Sequence, residues 1–116
     1  MKTIQFILTI LFAASSLFGY SQSENDLVRF KENDHDGFKN IKGDIVVETK
    51  YDYVWDFSEG LAKIIKNGKY GFINKEGKVV IPLIYNKAEL FQNGKAKVKL
   101  NGEWFYIDAN GERVEY

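Results

Sequence analysis

The sequence contains no cysteine, one proline and one histidine in 116 residues. Without cysteine there can be no disulfide, no thiol nucleophile, no zinc–thiolate site and no lipidated cysteine to tether an exported protein. The 16 basic and 16 acidic residues cancel, so the chain also lacks the electric field that would attract nucleic acid or an anionic bilayer. The fold must therefore rest on side-chain packing, and we expect no nucleic-acid partner.

Apolar residues are abundant, at 45% of the chain against 28% charged residues. This balance is typical of a folded globular protein, because enough apolar surface exists to offset the entropy lost on folding. The length is sufficient for one domain and too short for two of ordinary size.

The segment 1–21 has the features of a secretory signal peptide. Lys2 gives a positive start, an apolar stretch runs from Ile4 to Phe18, and small residues precede a predicted cleavage after Ser21. The apolar stretch is shorter than the ~20 residues of a membrane-spanning helix, so we expect no stable membrane span after cleavage. The predicted organisation is a signal helix at 1–21, a short linker at 22–26 and a β-repeat domain at 27–116, exported to the periplasm, the cell surface or the medium.

Glycine recurs at a fixed interval along the predicted domain. Gly43, Gly77 and Gly111 are evenly spaced, and the offset that separates them also relates Asn67-Gly68 to Asn101-Gly102. Self-similarity at one period is the signature of a repeat architecture. About two and two-thirds units fit in the chain, at 27–60, 61–94 and a truncated 95–116.

Each unit has the pattern of antiparallel strands joined by tight turns. Lys95–Leu100 alternates lysine with apolar residues, which is typical of a strand with one buried face, and the Asn-Gly pair after it favours a two-residue hairpin turn. The strand at 79–85 contains Pro82, which cannot donate a ladder hydrogen bond, so it should lie at a sheet edge or carry a bulge. The predicted fold class is all-β, with tandem antiparallel hairpins or three-stranded repeats of about 34 residues. A partial propeller, a sandwich and an open solenoid all remain compatible with this period.

The middle unit contains three characteristic stretches, Gly60–Lys63, Asn67–Gly77 and Val80-Ile81-Pro82. These residues resemble the bacterial WG-repeat family, and the similarity extends over nearly all of 27–116. The tryptophan–glycine pair of the family corresponds to Asp36-Gly37, Tyr70-Gly71 and Trp104-Phe105 in the three units. The resemblance implies a β-rich, usually exported or surface-associated repeat protein, and it brings no catalytic residue with it.

One short segment has the oxygen ligands of a calcium loop. Glu32–Gly37 places such ligands at alternate positions before a glycine, but the twelfth position of that loop is Gly43, where a bidentate glutamate is required. His35 is flanked by Asp34 and Asp36, yet neighbours on a strand point to opposite faces and do not converge on one reacting atom. We therefore predict a hairpin turn here, no metal site, no cofactor, no catalytic residue and no enzymatic activity.

The aromatic residues, at 16% of the chain, are the remaining candidates for a binding site. Tyr51, Tyr53 and Trp55 alternate and should share one strand face, and Trp104 and Tyr106 should share another. If these rows fill the core, they serve stability alone. If a row faces solvent, it forms a flat platform suited to glycan or peptide contact.

Three functions remain open. The first hypothesis is an exported, non-enzymatic binding or interaction module whose partner is a protein or a glycan, because repeat arrays present extended surfaces. The second is a structural envelope component that self-associates through the truncated last repeat, since Trp104–Val114 lacks a third strand to cover it. The third is a small secreted hydrolase or its regulator, which would need a carboxylate pair in a concave site.

Overall fold

The computed structural model describes residues 26–115, and in that range the chain consists of antiparallel strands without any helix. The predicted all-β class and its tandem repeat are confirmed. The predicted signal peptide lies outside the described residues, as do residues 22–25 and 116. The strands are β1 Leu27–Glu32, β2 His35–Asn40, β3 Ile45–Tyr51, β4 Tyr53–Val54, β5 Ala62–Lys66, β6 Lys69–Ile73, β7 Val79–Tyr85, β8 Lys87–Ala88, β9 Lys95–Leu100, β10 Glu103–Asp108 and β11 Arg113–Val114.

The strands form three sheets that follow one another along the chain. The first sheet has the order β1-β2-β3, the middle sheet β4-β5-β6-β7 and the third sheet β11-β10-β9-β8. The chain passes from one sheet to the next at Asp52 and at Asn86, positions that are again one repeat length apart. The predicted unit ends, Gly60 and Gly94, lie between two strands of the same sheet. The period of a repeat fixes its length but not the residue at which one sheet ends and the next begins.

The hairpin turns follow the chemistry that the sequence predicted. Asn67 and Gly68 have φ angles of 53° and 78°, and Asn101 and Gly102 have 52° and 84°. Two successive left-handed residues make the turn whose twist matches that of the flanking strands, and Asn-Gly tolerates it best. Each hairpin therefore closes with a register that puts alternate side chains on opposite faces of its sheet.

Strand β7 is the edge of the middle sheet, and its register with β6 shifts on both sides of Phe72. The prediction of an edge position or a bulge near Pro82 is thus confirmed. The bulge brings the backbone of β7 onto Gly71: a Cβ added there would lie 2.6 Å from the carbonyl oxygen of Ile81 and 2.9 Å from the nitrogen of Leu83. Glycine is needed at this position because only a residue without a side chain leaves room for the crossing backbone.

The third sheet does have a third strand, contrary to the expectation for Trp104–Val114. Asp108 accepts hydrogen bonds from the backbone N–H groups of Asn110 and Glu112, and this turn returns the chain to pair as β11. β11 is only two residues long, so no bulge crosses Phe105 as it crosses Gly71. A large side chain fits there, and the Arg113 guanidinium lies 4.4 Å from the ring centre.

Two apolar cores hold the three sheets together. The first core joins the first and middle sheets and contains Phe38, Val47, Tyr51, Val54, Ala62, Ile64 and Ile73. The second core joins the middle and third sheets and contains Leu61, Phe72, Ile81, Tyr85, Ala88, Phe91, Ala96, Val98 and Ile107. The middle sheet is therefore packed on both faces. The third sheet packs against the second core with one face only, through Ala96, Val98 and Ile107.

Candidate functional site

The five aromatic residues of the predicted platform lie in three different places. Tyr51 is the last residue of β3, is 3% exposed and belongs to the first core. Burial raises the pKa of its hydroxyl above the ordinary value. Because the chain leaves the first sheet at Asp52, Tyr51 does not share a row with Tyr53 and Trp55, and it is not accessible to a ligand.

Tyr53 and Trp55 lie at the junction of the first and middle sheets. Their rings meet edge to face with centroids 4.6 Å apart, and Tyr53 is 39% exposed. Arg29 of β1 donates a 2.6 Å hydrogen bond to the Tyr53 hydroxyl and forms a 3.2 Å ion pair with Asp56. The hydrogen bond to Tyr53, followed by the negative charge of Asp56, raises the pKa of Arg29. Both rings are thus occupied by contacts within the chain.

Lys63 of β5 closes the corresponding junction between the middle and third sheets. Its Nζ lies 4.2 Å from the Trp55 ring centre and 5.6 Å from that of Tyr70, and it donates a 2.8 Å hydrogen bond to the carbonyl oxygen of Ala88. Burial lowers the pKa of this ammonium, and the nearby carboxylate of Glu89 opposes that effect. Lys63 is thus held by the rings of Trp55 and Tyr70 and by a backbone carbonyl of the third sheet.

Trp104 and Tyr106 share the outer face of the third sheet together with three lysines. In the pairing of β9 with β10, Trp104 lies opposite Lys99 and Tyr106 opposite Lys97, which places these side chains on one face. Trp104 is 42% exposed and Tyr106 is half-buried. We call this surface the aromatic–lysine face, consisting of Lys95, Lys97, Lys99, Trp104 and Tyr106.

The lysines of the aromatic–lysine face lie close to its rings. The Nζ atoms of Lys97 and Lys99 are 5.3 Å and 5.7 Å from the Trp104 ring centre, and that of Lys95 is 5.2 Å from the Tyr106 ring centre. Cations at this distance are attracted to the electron-rich face of an aromatic ring. The arrangement holds flat rings beside hydrogen-bond donors, so it can contact an apolar group and an acceptor at the same time.

Sequence reasoning found the two rings of this face and missed its lysines. The alternation in Lys95–Leu100 assigned the lysines to solvent, and only the strand register shows that they lie beside Trp104 and Tyr106. One signal was present: Lys97 lies one repeat length after Lys63 and two repeat lengths after Arg29, so a basic residue recurs at this position in every unit.

The residues that were considered for metal binding or catalysis have structural roles. Asn33 and Asp34 form the β1–β2 turn, and His35 Nδ1 lies 2.9 Å from the Asn33 carbonyl oxygen. Asp36 is buried, pairs with Lys31 at 2.7 Å and accepts a 3.1 Å hydrogen bond from the backbone N–H of Val54. In the part of the chain that the structure describes, no group of three or more His, Cys, Asp or Glu residues could hold a metal ion.

Comparison with known proteins gives one match. The model of the family described as WG containing repeat matches the chain twice, at residues 37–70 and 70–104, and the two matches together span more than half of the sequence. No curated protein and no solved structure matches the chain. Between residues 26 and 115 there is also no helix of the length and apolarity needed to cross a bilayer.

Proposed function

The chain belongs to the WG-repeat family, and on that premise we propose that it is a non-enzymatic binding module whose ligand-contacting surface is the aromatic–lysine face of the third sheet. The observation that carries this proposal is a difference in burial between equivalent rings. Phe72 of the middle sheet is completely buried by the sheet that follows, whereas its equivalent in the third sheet, Tyr106, is half-buried and the neighbouring Trp104 is 42% exposed. Large aromatic side chains that stay accessible on a small protein are characteristic of interaction sites.

The chemistry of the face supports binding. Tryptophan and tyrosine offer a large contact area at a low cost in side-chain entropy, and lysine ammonium groups donate hydrogen bonds to acceptors that approach the rings. Several groups that could carry catalysis are used elsewhere in the fold. Glu59, for example, accepts hydrogen bonds from the backbone N–H groups of Asn93 at 2.7 Å and Gly94 at 2.9 Å. Such carboxylates stabilise the junctions between sheets and are not convergent on one point.

We also propose that the module acts after export to the periplasm, the cell surface or the medium. The support is the leader pattern in residues 1–21. Mass spectrometry of the exported protein should find a chain that begins at Gln22. An intact Met1 on a membrane-bound product would contradict the proposal.

A second candidate function is a structural component that self-associates, and one observation favours it. In the middle and third sheets a two-residue strand, β4 or β8, pairs with the outer edge of β5 or β9. Within residues 26–115 the first sheet has no such strand beside β1. An uncovered edge of this kind accepts a further strand. Sedimentation of the protein at increasing concentration tests this candidate, and a strict monomer contradicts it.

The main proposal is tested by affinity capture from the bacterial envelope fraction with three forms of the protein. Wild type and Ile84→Ala should capture the same component, because Ile84 is 45% exposed, close to the 42% of Trp104, but lies on β7, outside the aromatic–lysine face. Trp104→Ala should lose that component while it melts at nearly the same temperature. Capture that is independent of Trp104, or a strongly lowered melting temperature in Trp104→Ala, would show that the ring is not a binding group.

A further inference from the structure

The segments that cover the earlier sheets indicate which ligand the aromatic–lysine face accepts. Arg29 donates a 3.2 Å hydrogen bond from Nη1 to the carbonyl oxygen of Val54, and Lys63 donates a 2.8 Å bond from Nζ to the carbonyl oxygen of Ala88. The two donors are one repeat length apart, and so are the two acceptors. The same position of each sheet therefore binds the same backbone carbonyl of the two-residue strand that follows.

A second contact recurs with the same offset. The rings of Phe38 and Phe57 have centroids 4.8 Å apart, and so do those of Phe72 and Phe91. Phe57 and Phe91 each come three residues after the residue whose carbonyl accepts the hydrogen bond. The covering segment is thus a short extended piece of chain that presents a carbonyl oxygen and, three residues later, an aromatic ring.

The third sheet presents the matching pair of receptor positions. Arg29 lies opposite Phe38, Lys63 opposite Phe72, and Lys97 opposite Tyr106 in the registers of the three sheets. Among residues 26–115 no backbone carbonyl accepts a hydrogen bond from Lys97, whose ammonium lies against the exposed ring of Trp104. Lys97 and Tyr106 therefore occupy the positions that hold the covering segment at the two junctions between sheets. Within residues 26–115, no covering segment supplies a carbonyl to Lys97.

Resting on the proposed function, we propose that the aromatic–lysine face binds an extended segment of another protein, with a backbone carbonyl on Lys97 and an aromatic ring, three residues further along, on Tyr106. The flanking ring of Trp104 packs against the segment in the place that Tyr70 holds in the middle sheet. The partner has the chemistry of residues 53–57 and 87–91 of this chain: a short strand with a small apolar residue at the carbonyl position.

A second copy of the chain is a poorer occupant. The two segments of this kind within residues 26–115 already pack on the preceding sheet of their own chain, Phe57 against Phe38 and Phe91 against Phe72. Each would have to leave that sheet before it could occupy the aromatic–lysine face of another copy.

The probe is a synthetic peptide with the sequence of residues 85–94, titrated into the nitrogen-15-labelled exported protein. The chain has two tryptophans, so the indole N–H signals of Trp55 and Trp104 report on the two junctions separately. The peptide should shift the Trp104 signal in a saturable manner and leave the Trp55 signal in place. Lys97→Gln should weaken binding about fivefold, because it replaces a charged donor. The control Lys75→Gln, at an exposed lysine in the turn after β6, should have no effect on binding.

A variant peptide and the state of association complete the test. Replacing Phe91 by Ala in the peptide should weaken binding about tenfold, since it removes the ring that meets Tyr106. The absence of a Trp104 shift at millimolar peptide overturns this inference, as does binding of envelope oligosaccharides in place of the peptide. Concentration-dependent dimerisation that shifts Trp104 without peptide also overturns it, because a second copy is then the occupant. If capture in the earlier experiment still depends on Trp104, the proposed function stands even though this inference has failed.

Discussion

The middle and third sheets each have a lysine opposite an aromatic ring, Lys63 with Phe72 and Lys97 with Tyr106, and they differ in what packs above this pair. Lys63 and Phe72 are covered by Ala88 and Phe91 of the following sheet, whereas Lys97 is paired with an exposed tryptophan. The chemistry of the two positions is nearly the same, so their exposure does not follow from their own side chains. It follows from the segment that packs above them, which covers the middle sheet and has no counterpart on the third sheet within residues 26–115.

The largest difference between the two sheets should appear when the equivalent rings are removed. Phe72→Ala is expected to lower the free energy of unfolding by about 3–5 kcal/mol, because a completely buried ring leaves a cavity in the second core. Tyr106→Ala should cost about 1 kcal/mol, since its ring is half-buried. Urea unfolding of both variants measures this, and equal losses would show that the two rings are equally buried.

The middle and third sheets also differ at Gly71, the residue before Phe72, because the bulged strand β7 crosses this position. Gly71→Ala is expected to destabilise the fold by about 2–4 kcal/mol, because the new methyl group meets backbone atoms that cannot rotate away. Lys69→Ala on the same strand is exposed and should change stability by less than about 0.5 kcal/mol. Thermal unfolding of the two variants tests this, and a stable Gly71→Ala protein would mean that the two strands do not approach so closely.

A smaller effect should separate the two lysines. Lys63→Gln is expected to cost about 1 kcal/mol, because it loses the charged hydrogen bond to the Ala88 carbonyl and the contact with Trp55. Lys97→Gln should stay within about 0.5 kcal/mol of wild type. If calorimetry finds the same loss for both, then Lys97 has a structural partner and the aromatic–lysine face is not an open site.

The smallest effect concerns an ion pair found in the third sheet, where Glu103 of β10 accepts a 2.7 Å hydrogen bond from Arg113 of β11. That hydrogen bond, together with the positive charge, holds the pKa of Glu103 below its ordinary value of 4.5. A lowered carboxyl pKa stabilises the folded state above the unfolded pKa, and the contribution is lost as the pH falls through the folded value. Glu103→Gln should melt slightly below wild type at pH 7, and the difference should disappear as the pH falls through the lowered pKa of Glu103. A difference that persists in acid would contradict the assignment.

Much of the fold could be predicted from local patterns. The repeat period, the alternation in Lys95–Leu100, the Asn-Gly turns and the bulge near Pro82 depend on residues close together in the sequence, and the structure has all of them. The prediction for the last unit was wrong in one respect, because the turn at Asp108 returns a short third strand. Two residues are too few for a strand pattern to be visible in the sequence.

The candidate site was predicted only in part. Alternation placed Trp104 and Tyr106 on one face, but it also joined Tyr51 to Tyr53 and Trp55, and the chain changes sheets between them at Asp52. A break of this kind depends on where two sheets meet, and no side-chain pattern marks it. The lysines of the aromatic–lysine face were overlooked for the same reason, since their neighbours belong to another strand.

By itself the sequence determined the period, the strands, the turns and the membership of a β-repeat family, because dihedral preferences and side-chain alternation act over a few residues. Only the tertiary structure decided which face of each sheet is covered. A face is covered by a segment about 25 residues further along the chain, as Lys63 is by Ala88, so its burial depends on both partners. The ring of Phe72 is therefore buried in the middle sheet, whereas that of the equivalent Tyr106 is half-buried in the third.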